Sequence, residues 1–321
     1  MRVLGIVAIV AGHVWDNQFT REGIYTWHVP LFFFLTGYLW AARRPLQTEV
    51  GKRTRTLLVP YMCWLVVISV PYIGLSVFKD SKDPWPLVLE ILWGGSNLGR
   101  PYSAFWFVTA LFFAALFLRS LQRLPAWASW VIALGGLAIC YANSSVASAF
   151  PLSVGIAVPA MLFVLLGSAF RAIRPRMRYP LSTGIALLGL STVLVLFGWS
   201  APLDMKQADF GTPIVSVVVA TAISAGLLLV AERTITWTGH AAAWTIKLAA
   251  TGFMVVLTHA AVLWLLRTPP TGSWLDFGLA LTVPWLAAIL VSFTGLSAYL
   301  LGVAPPKARH RLTSPRTSDA R

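Results

Sequence analysis

The chain has 321 residues, of which 57% are hydrophobic and only 11% are charged. A soluble globular domain is about 45–50% apolar and about 25% charged, so this composition excludes a disordered chain, a disulfide-stapled secreted domain and a cytosolic enzyme. The formal charge of +14 indicates either a nucleic-acid partner or cations held on one side of a membrane.

Apolar windows long enough to cross a bilayer, which takes about 20 residues, predict ten transmembrane helices. In chain order the windows are roughly 2–19, 24–42, 57–78, 103–122, 127–142, 150–170, 181–199, 213–231, 248–266 and 275–302. The segment 85–93 is apolar but too short to span, and Glu90 interrupts it, so we expect an interfacial or re-entrant piece. The predicted fold class is all-α, a polytopic transmembrane helix bundle.

The cations between these windows orient the bundle. With a cytoplasmic N-terminus, 18 of the 25 Lys and Arg residues lie on the inner side and 6 on the outer side. This asymmetry predicts that both termini are cytoplasmic, and it removes the need for a nucleic-acid partner. Residues 304–321 are basic and lack apolar periodicity, so we expect a membrane domain over 1–303 and a disordered cytoplasmic tail after it.

The first helix carries ionisable residues where the membrane makes them costly, which marks a candidate functional site. Arg2 and His13 are eleven positions apart, which places them on one helical face, about 16 Å apart along the axis. Asp16 flanks the same face and is spaced to orient the imidazole. The alternatives are a buried His13 bonded to a neighbouring carbonyl and an Asp16 that is a solvated helix end.

Two further histidines are expected near His13. His28 lies about as far after the first hairpin turn as His13 lies before it, and His259 falls near the middle of the ninth window. The three histidines are therefore predicted to line one cavity in the outer half of the bundle. An interfacial position for His28 and a structural hydrogen bond for His259 are the alternatives.

The inner loop that leads into the third helix, RRPLQTEVGKRTRTLLVPY over 43–61, carries five cations. Lys52 and Arg55 share a helical face and are spaced to clamp phosphates. The alternative is that these cations only hold the loop on the cytoplasmic side.

Taken together, these segments resemble the membrane acyltransferase-3 family. The run RVLGIVAIVAGH over 2–13 has the family's spacing of Arg, ten residues and His, and HVPLFFFLTGYLWAARR over 28–44 is similar to its second helix. The later runs KRTRTLLVPY, FWFVTALFF, LLGSAFR and VLTHAAVL, which begin at 52, 105, 165 and 256, are similar to further family segments in order. Thr36 and Lys52 stand where the family usually has Ser and Arg.

The resemblance implies an acyl-CoA-dependent O-acyltransferase in the bacterial plasma membrane. The acyl group, usually acetyl from acetyl-CoA, would pass to a sugar hydroxyl of a cell-surface glycan, a glycolipid or a glycosylated natural product. We expect acyl-CoA as co-substrate, no tightly bound cofactor and no metal. The competing functions are a transporter or flippase, and an export component for a polysaccharide or a lipid-linked precursor.

The resemblance also implies roles for the candidate residues. His13 would act as general base, or carry the acyl group itself. The residues expected around it in the catalytic site are Asp16, His28 and His259. The residues expected to hold the phosphates of the acyl-CoA are Arg2, Lys52 and Arg55, with Arg43, Arg44 and Arg53 adding positive potential.

Overall fold

The structure is a computed structural model that describes residues 1–80 and 83–303. The tail predicted over 304–321 lies outside the described residues. Within the described ranges every regular element is helical, which confirms the all-α fold class.

The α-helices follow the predicted windows closely. In chain order they are α1 (Arg2–Val14), α2 (Gln18–Thr20), α3 (His28–Tyr38), α4 (Leu46–Arg53), α5 (Val59–Asp80), α6 (Pro84–Trp93), α7 (Phe105–Leu121), α8 (Ala126–Ala142), α9 (Ser144–Ser148), α10 (Val154–Ile173), α11 (Pro180–Leu196), α12 (Val215–Thr234), α13 (Gly239–Leu265), α14 (Trp274–Val291) and α15 (Ser297–Leu300). Each predicted window contains one helix of at least 11 residues, and the apolar segment around Glu90 forms α6, of 10 residues.

The long helices differ in length from what the windows predict. Among residues 1–80 and 83–303, five helical segments are long and apolar enough to cross a membrane by length and composition: Leu46–Lys79, Pro151–Arg176, Val215–Thr234, Gly239–Leu265 and Trp274–Val291. The helices α1, α7, α8 and α11 are apolar but shorter, and α1 with its 13 residues rises only about 20 Å. Helix α1 ends one residue beyond His13, where the helical backbone stops. Irregular backbone is tolerated at membrane depth where it lines a cavity.

Helix α10 occupies the centre of the bundle and packs against α3, α7 and α8. Its crossing with α3 is so close that a Cβ atom on Gly37 would overlap the carbonyl of Val164, and one on Gly167 would overlap the carbonyl of Phe34. Small residues of this kind let two membrane helices bring their backbones into contact. This crossing fixes the position of α3, and α3 in turn packs against α1.

Candidate active site

Helix α1 carries a cavity at each end of one face. At its C-terminal end lies the histidine cavity, of about 240 Å³, whose lining includes Ile9, His13 and His28. At its N-terminal end lies the basic cavity, of about 420 Å³, whose lining includes Arg2 and Ile6. Arg2 and His13 thus face two cavities along the same side of the helix.

The imidazole of His13 has a defined tautomer. Its Nδ1 lies 2.9 Å from the backbone carbonyl of Ile9, one helical turn earlier. A carbonyl oxygen can only accept, so Nδ1 carries the proton and Nε2 of the neutral ring holds a lone pair. Because His13 lines the histidine cavity, it has the protonation state that a general base needs.

His28 and His259 are oriented in the same way. Nδ1 of His28 lies 2.8 Å from the carbonyl of Ile24, and Nδ1 of His259 lies 2.9 Å from that of Val255. His28 lines the histidine cavity beside His13. His259 is fully buried behind His13, with ring centroids 4.9 Å apart and ring planes at 81°.

The buried Nε2 atom of His259 has no hydrogen-bond partner within the described part of the chain. A buried polar atom without a partner is unusual and calls for an explanation. His259 packs against His13 but is not among the residues that line the histidine cavity, so the prediction that three histidines line one cavity is met by His13 and His28 alone.

Asp16 does not take the position that its spacing predicts. Its carboxylate accepts a hydrogen bond from Nε of Arg21 at 2.7 Å, and about half of each side chain is exposed. The carbonyl of Ile9, rather than Asp16, orients His13. Helix α1 ends at Val14, so Asp16 lies beyond the helix and the helical spacing does not apply to it.

The roof of the histidine cavity comes from a loop that sequence reasoning missed. Asp204, Lys206 and Gln207, in the connection between α11 and α12, line the cavity, and Nζ of Lys206 donates to the carbonyl of Leu98 at 2.6 Å. Burial raises the pKa of Asp204 and lowers that of Lys206. The only signal in the sequence was a group of polar residues in an otherwise apolar chain.

A second missed residue holds the end of α1. Both guanidinium Nη atoms of Arg100 donate to backbone carbonyls, Nη1 to that of Thr268 and Nη2 to that of His13. Arg100 therefore ties the C-terminal end of α1 to the end of α13, the helix that carries His259.

The basic cavity collects cations from α1 and from the loop that leads into α5. The cationic side chains that line it are those of Arg2, Arg44, Lys52 and Arg53. Arg55, one turn beyond Lys52, lies instead on a separate shallow groove that Lys52 also lines, and Arg43 is exposed. The structure therefore separates Arg55 from Arg2, although sequence spacing groups it with Lys52.

One buried carboxylate organises these cations. Glu49 is 1% exposed and accepts hydrogen bonds from Arg44 at 2.7 Å and from Arg53 at 2.8 Å. Arg119, also buried, approaches the same carboxylate to 3.7 Å and lies over the ring of Trp40. Glu49 thereby fixes two cationic side chains at the wall of the basic cavity.

The two cavities are neighbours inside the bundle. Phe107 of α7 and Val256 of α13 line both of them, so these two side chains stand between the basic cavity and His13.

Comparisons with known proteins identify the family of the chain. A family model described as an acyltransferase domain matches residues 1–302. The nodulation protein NolL of Mesorhizobium japonicum is 25% identical over 124 residues, which make up 38% of this chain and 31% of that protein. The aligned region thus spans about a third of the length of that relative. No solved structure matches.

Proposed function

The chain belongs to this acyltransferase family, and we propose that it is an integral membrane O-acyltransferase of the bacterial plasma membrane. The acyl group, in the simplest case acetyl, would come from acyl-CoA and pass to a sugar hydroxyl of a cell-surface glycan, a glycolipid or a glycosylated natural product. The observation that carries this proposal is the pair of cavities along one face of α1, one basic and one lined by histidines, which share Phe107 and Val256.

The basic cavity suits the anionic part of the donor. Arg2, Arg44 and Lys52 line it, and phosphates are held by charge-assisted hydrogen bonds from such groups. The buried Nε1 of Trp40, in the same wall, has no partner among the described residues and supplies a further donor. An extended pantetheine arm would carry the thioester along α1 toward His13, about 16 Å away.

The reaction that we propose in the histidine cavity is direct transfer. The acceptor hydroxyl oxygen bonds to the thioester carbonyl carbon while Nε2 of His13 takes the hydroxyl proton. The tetrahedral intermediate then collapses, the carbon–sulfur bond breaks, and the thiolate of CoA leaves. The proton on His13 passes to that thiolate, which restores the neutral imidazole.

The histidine arrangement assists this proton transfer. When His13 becomes an imidazolium, its Nε2 becomes a donor. The lone pair on Nε2 of His259 is buried beside it without a partner among the described residues, so it can stabilise the transient charge. His28 and the roof residues Asp204 and Gln207 offer polar groups to the hydroxyls of the acceptor.

Transfer of label tests the proposal. Membranes that contain the wild-type chain or His13→Ala are incubated with [¹⁴C]acetyl-CoA, and label is followed into lipid-linked and soluble sugars. The matched control is His240→Ala, because His240 is an exposed histidine at the start of α13. We expect His13→Ala to lose about 10²–10⁴-fold in rate and His240→Ala to match wild type.

Equal labelling by wild type and His13→Ala, with both chains present at the same level, would refute the role of His13. If no acyl-CoA labels any sugar, and propionyl- and succinyl-CoA also fail, the two neighbouring cavities would instead favour a transport function.

A further inference from the structure

A third cavity lies at the His13 end of the bundle and takes no part in the reaction described above. This cationic groove, of about 570 Å³, is lined by three cations, Lys79, Arg100 and Arg267, together with Tyr72 and Trp264. Sequence topology assigns only 6 of the 25 Lys and Arg residues to that side of the membrane. Half of those six therefore converge on one groove.

The chain path puts the groove on the side opposite the basic cavity. Helix α5 follows directly from the segment that carries Lys52 and runs 22 residues before it ends beside Lys79. Arg267 follows the end of α13, and Arg100 lies in the loop between α6 and α7. Arg100 also donates to the carbonyl of His13, so one side chain joins the groove to the end of the catalytic helix.

Two of the three groove cations, Arg100 and Arg267, make no ion pair with an acidic residue in the described ranges. Arg267 is also exposed. The carboxylate of Asp276 acts electrostatically on Arg100, but it accepts its hydrogen bonds from Thr268 and Ser273. Both Nη atoms of Arg100 donate to neutral carbonyls.

Apart from the hydroxyl side chains of Ser76 and Thr268, the rest of the groove is lined by aromatic and aliphatic side chains. The rings of Tyr72 and Trp264 pack edge to face at 5.5 Å, and Leu75, Leu263 and Leu265 complete the wall. Leu265 is 69% exposed, so the apolar side faces outward at the end of α13. A groove with cations at one level and exposed apolar side chains beside them is complementary to an anion attached to a hydrocarbon chain.

We propose that this groove binds the phosphate group of a lipid-linked acceptor and so holds the sugar to be acylated near the His13 end of α1. The inference rests on the proposed function, since it names the class of acceptor for that reaction. It accounts for the three cations on the side of the membrane where cations are few, and it gives Arg100 a position between bound phosphate and the catalytic helix.

A binding experiment tests the groove without relying on acyl transfer. The full chain is reconstituted in phosphatidylcholine nanodiscs, and equilibrium binding is measured for farnesyl phosphate, farnesol and inorganic phosphate. We expect farnesyl phosphate to bind, and Lys79→Gln and Arg267→Gln each to weaken that binding by about tenfold, the loss expected for one charge-assisted contact. Arg21→Gln is the matched control, because Arg21 is a cation of the same face that pairs with Asp16 outside the groove.

Several results would overturn the assignment. Farnesol or inorganic phosphate that binds as tightly as farnesyl phosphate would show that the pairing of anion and hydrocarbon is not recognised. Displacement by phosphatidylglycerol in the nanodiscs at equal strength would make the groove a site for ordinary lipid headgroups. If Lys79→Gln and Arg267→Gln bind farnesyl phosphate as tightly as Arg21→Gln does, and melt at the same temperature as wild type, these cations do not belong to the site.

Transfer assays separate this proposal from the reaction itself. If the groove variants acetylate a soluble sugar as wild type does but fail with a lipid-linked one, both proposals stand. If wild type transfers acetyl to sugars but the groove variants behave like wild type with every acceptor, the groove proposal fails and the acyltransferase stands.

Discussion

His13 and His259 meet edge to face inside the bundle, with ring centroids 4.9 Å apart, and the two helices that carry them are packed together. Both rings hold their Nδ1 protons on backbone carbonyls, so both Nε2 atoms are lone-pair acceptors in the neutral state. The pair is therefore a sensitive place to test the mechanism.

We predict that His259→Leu lowers kcat by about 10-fold or more, because a partner for the His13 imidazolium is lost and one charged hydrogen bond is worth about 1.5–3 kcal/mol. His259→Gln keeps an acceptor oxygen and should recover part of that activity. Steady-state kinetics with acetyl-CoA check both variants. If His259 only packs against its neighbours, His259→Leu and His259→Gln should have equal kcat, and any loss of activity should follow the loss in melting temperature.

The crossing of α3 and α10 should tolerate no side chain at its glycines. Gly167→Ala places a Cβ against the backbone of Phe34, and overpacking of this kind costs about 1–3 kcal/mol. We therefore expect a lower melting temperature and less folded protein in detergent. Gly189→Ala in α11 is the control, since nothing lies within 4 Å of the added methyl group, and it should melt at or slightly above wild type.

The sequence predicted the bundle well because apolar composition decides it. Each of the ten windows contains a helix, although only five helical segments among the described residues are long enough to span a membrane. The equal distance of His13 and His28 from the hairpin turn placed both on one cavity. The shared face of Arg2 and His13 followed from helical periodicity alone. These features depend on local sequence, which a single chain provides.

Other parts of the site depend on contacts between distant segments. Lys52 lines both the basic cavity and the neighbouring groove, whereas Arg55 lines only the groove, which Arg2 does not reach. The role of Arg100 depends on carbonyls contributed by α1 and by the end of α13. The roof residue Asp204 lines the histidine cavity only through the path of a loop without periodicity, so no pattern in the sequence could assign it.

The inner cations should contribute unequally to binding of acyl-CoA. Arg2→Gln and Lys52→Gln each remove a charge from the basic cavity, and we expect each to raise the KM for acetyl-CoA by about tenfold with little change in kcat. Arg55→Gln should raise it much less, since Arg55 lies outside that cavity. Initial rates at varied acetyl-CoA and salt concentration measure the ranking, and an Arg55→Gln effect as large as that of Arg2→Gln would contradict it.

Removal of the buried carboxylate should disturb the whole basic cavity. In Glu49→Gln, Arg44 and Arg53 lose their common partner, and breaking a buried ion pair costs about 3–5 kcal/mol. We expect a lower melting temperature together with a raised KM for acetyl-CoA. Glu22→Gln, a change at a partly exposed residue outside the basic cavity, is the control, and an equal response in both variants would argue against the cluster.

The pH dependence of acceptor binding should report on Asp204. Burial raises the pKa of this carboxyl group above its ordinary range, so it is neutral at low pH and becomes an anion only as the pH rises through the raised value. An ionised Asp204 accepts hydrogen bonds from sugar hydroxyls more strongly than a neutral one, so the acceptor KM should fall as the pH rises. Asp204→Asn should remove this dependence, whereas Asp209→Asn, at an exposed position of the same loop, should keep it.

The junction of the two cavities should set the length of the acyl chain that can be transferred. Phe107 lines both cavities and packs against Phe32 and Phe33, so Phe107→Leu removes side-chain volume between the two cavities, beside His13. We expect the ratio of hexanoyl to acetyl transfer to rise by about 10-fold. This corresponds to a difference of about 1.4 kcal/mol in transition-state free energy, within the range that one or two methylene groups contribute in an apolar pocket. The control is Phe105→Leu, which removes the same volume from a buried position that lines neither cavity.

A higher ratio of hexanoyl to acetyl transfer in Phe107→Leu alone would show that the thioester passes Phe107 on its way to His13. A mechanism in which the acyl group stays in the basic cavity does not allow this result. An unchanged ratio in a stable Phe107→Leu variant would mean that the acyl chain reaches His13 by another path.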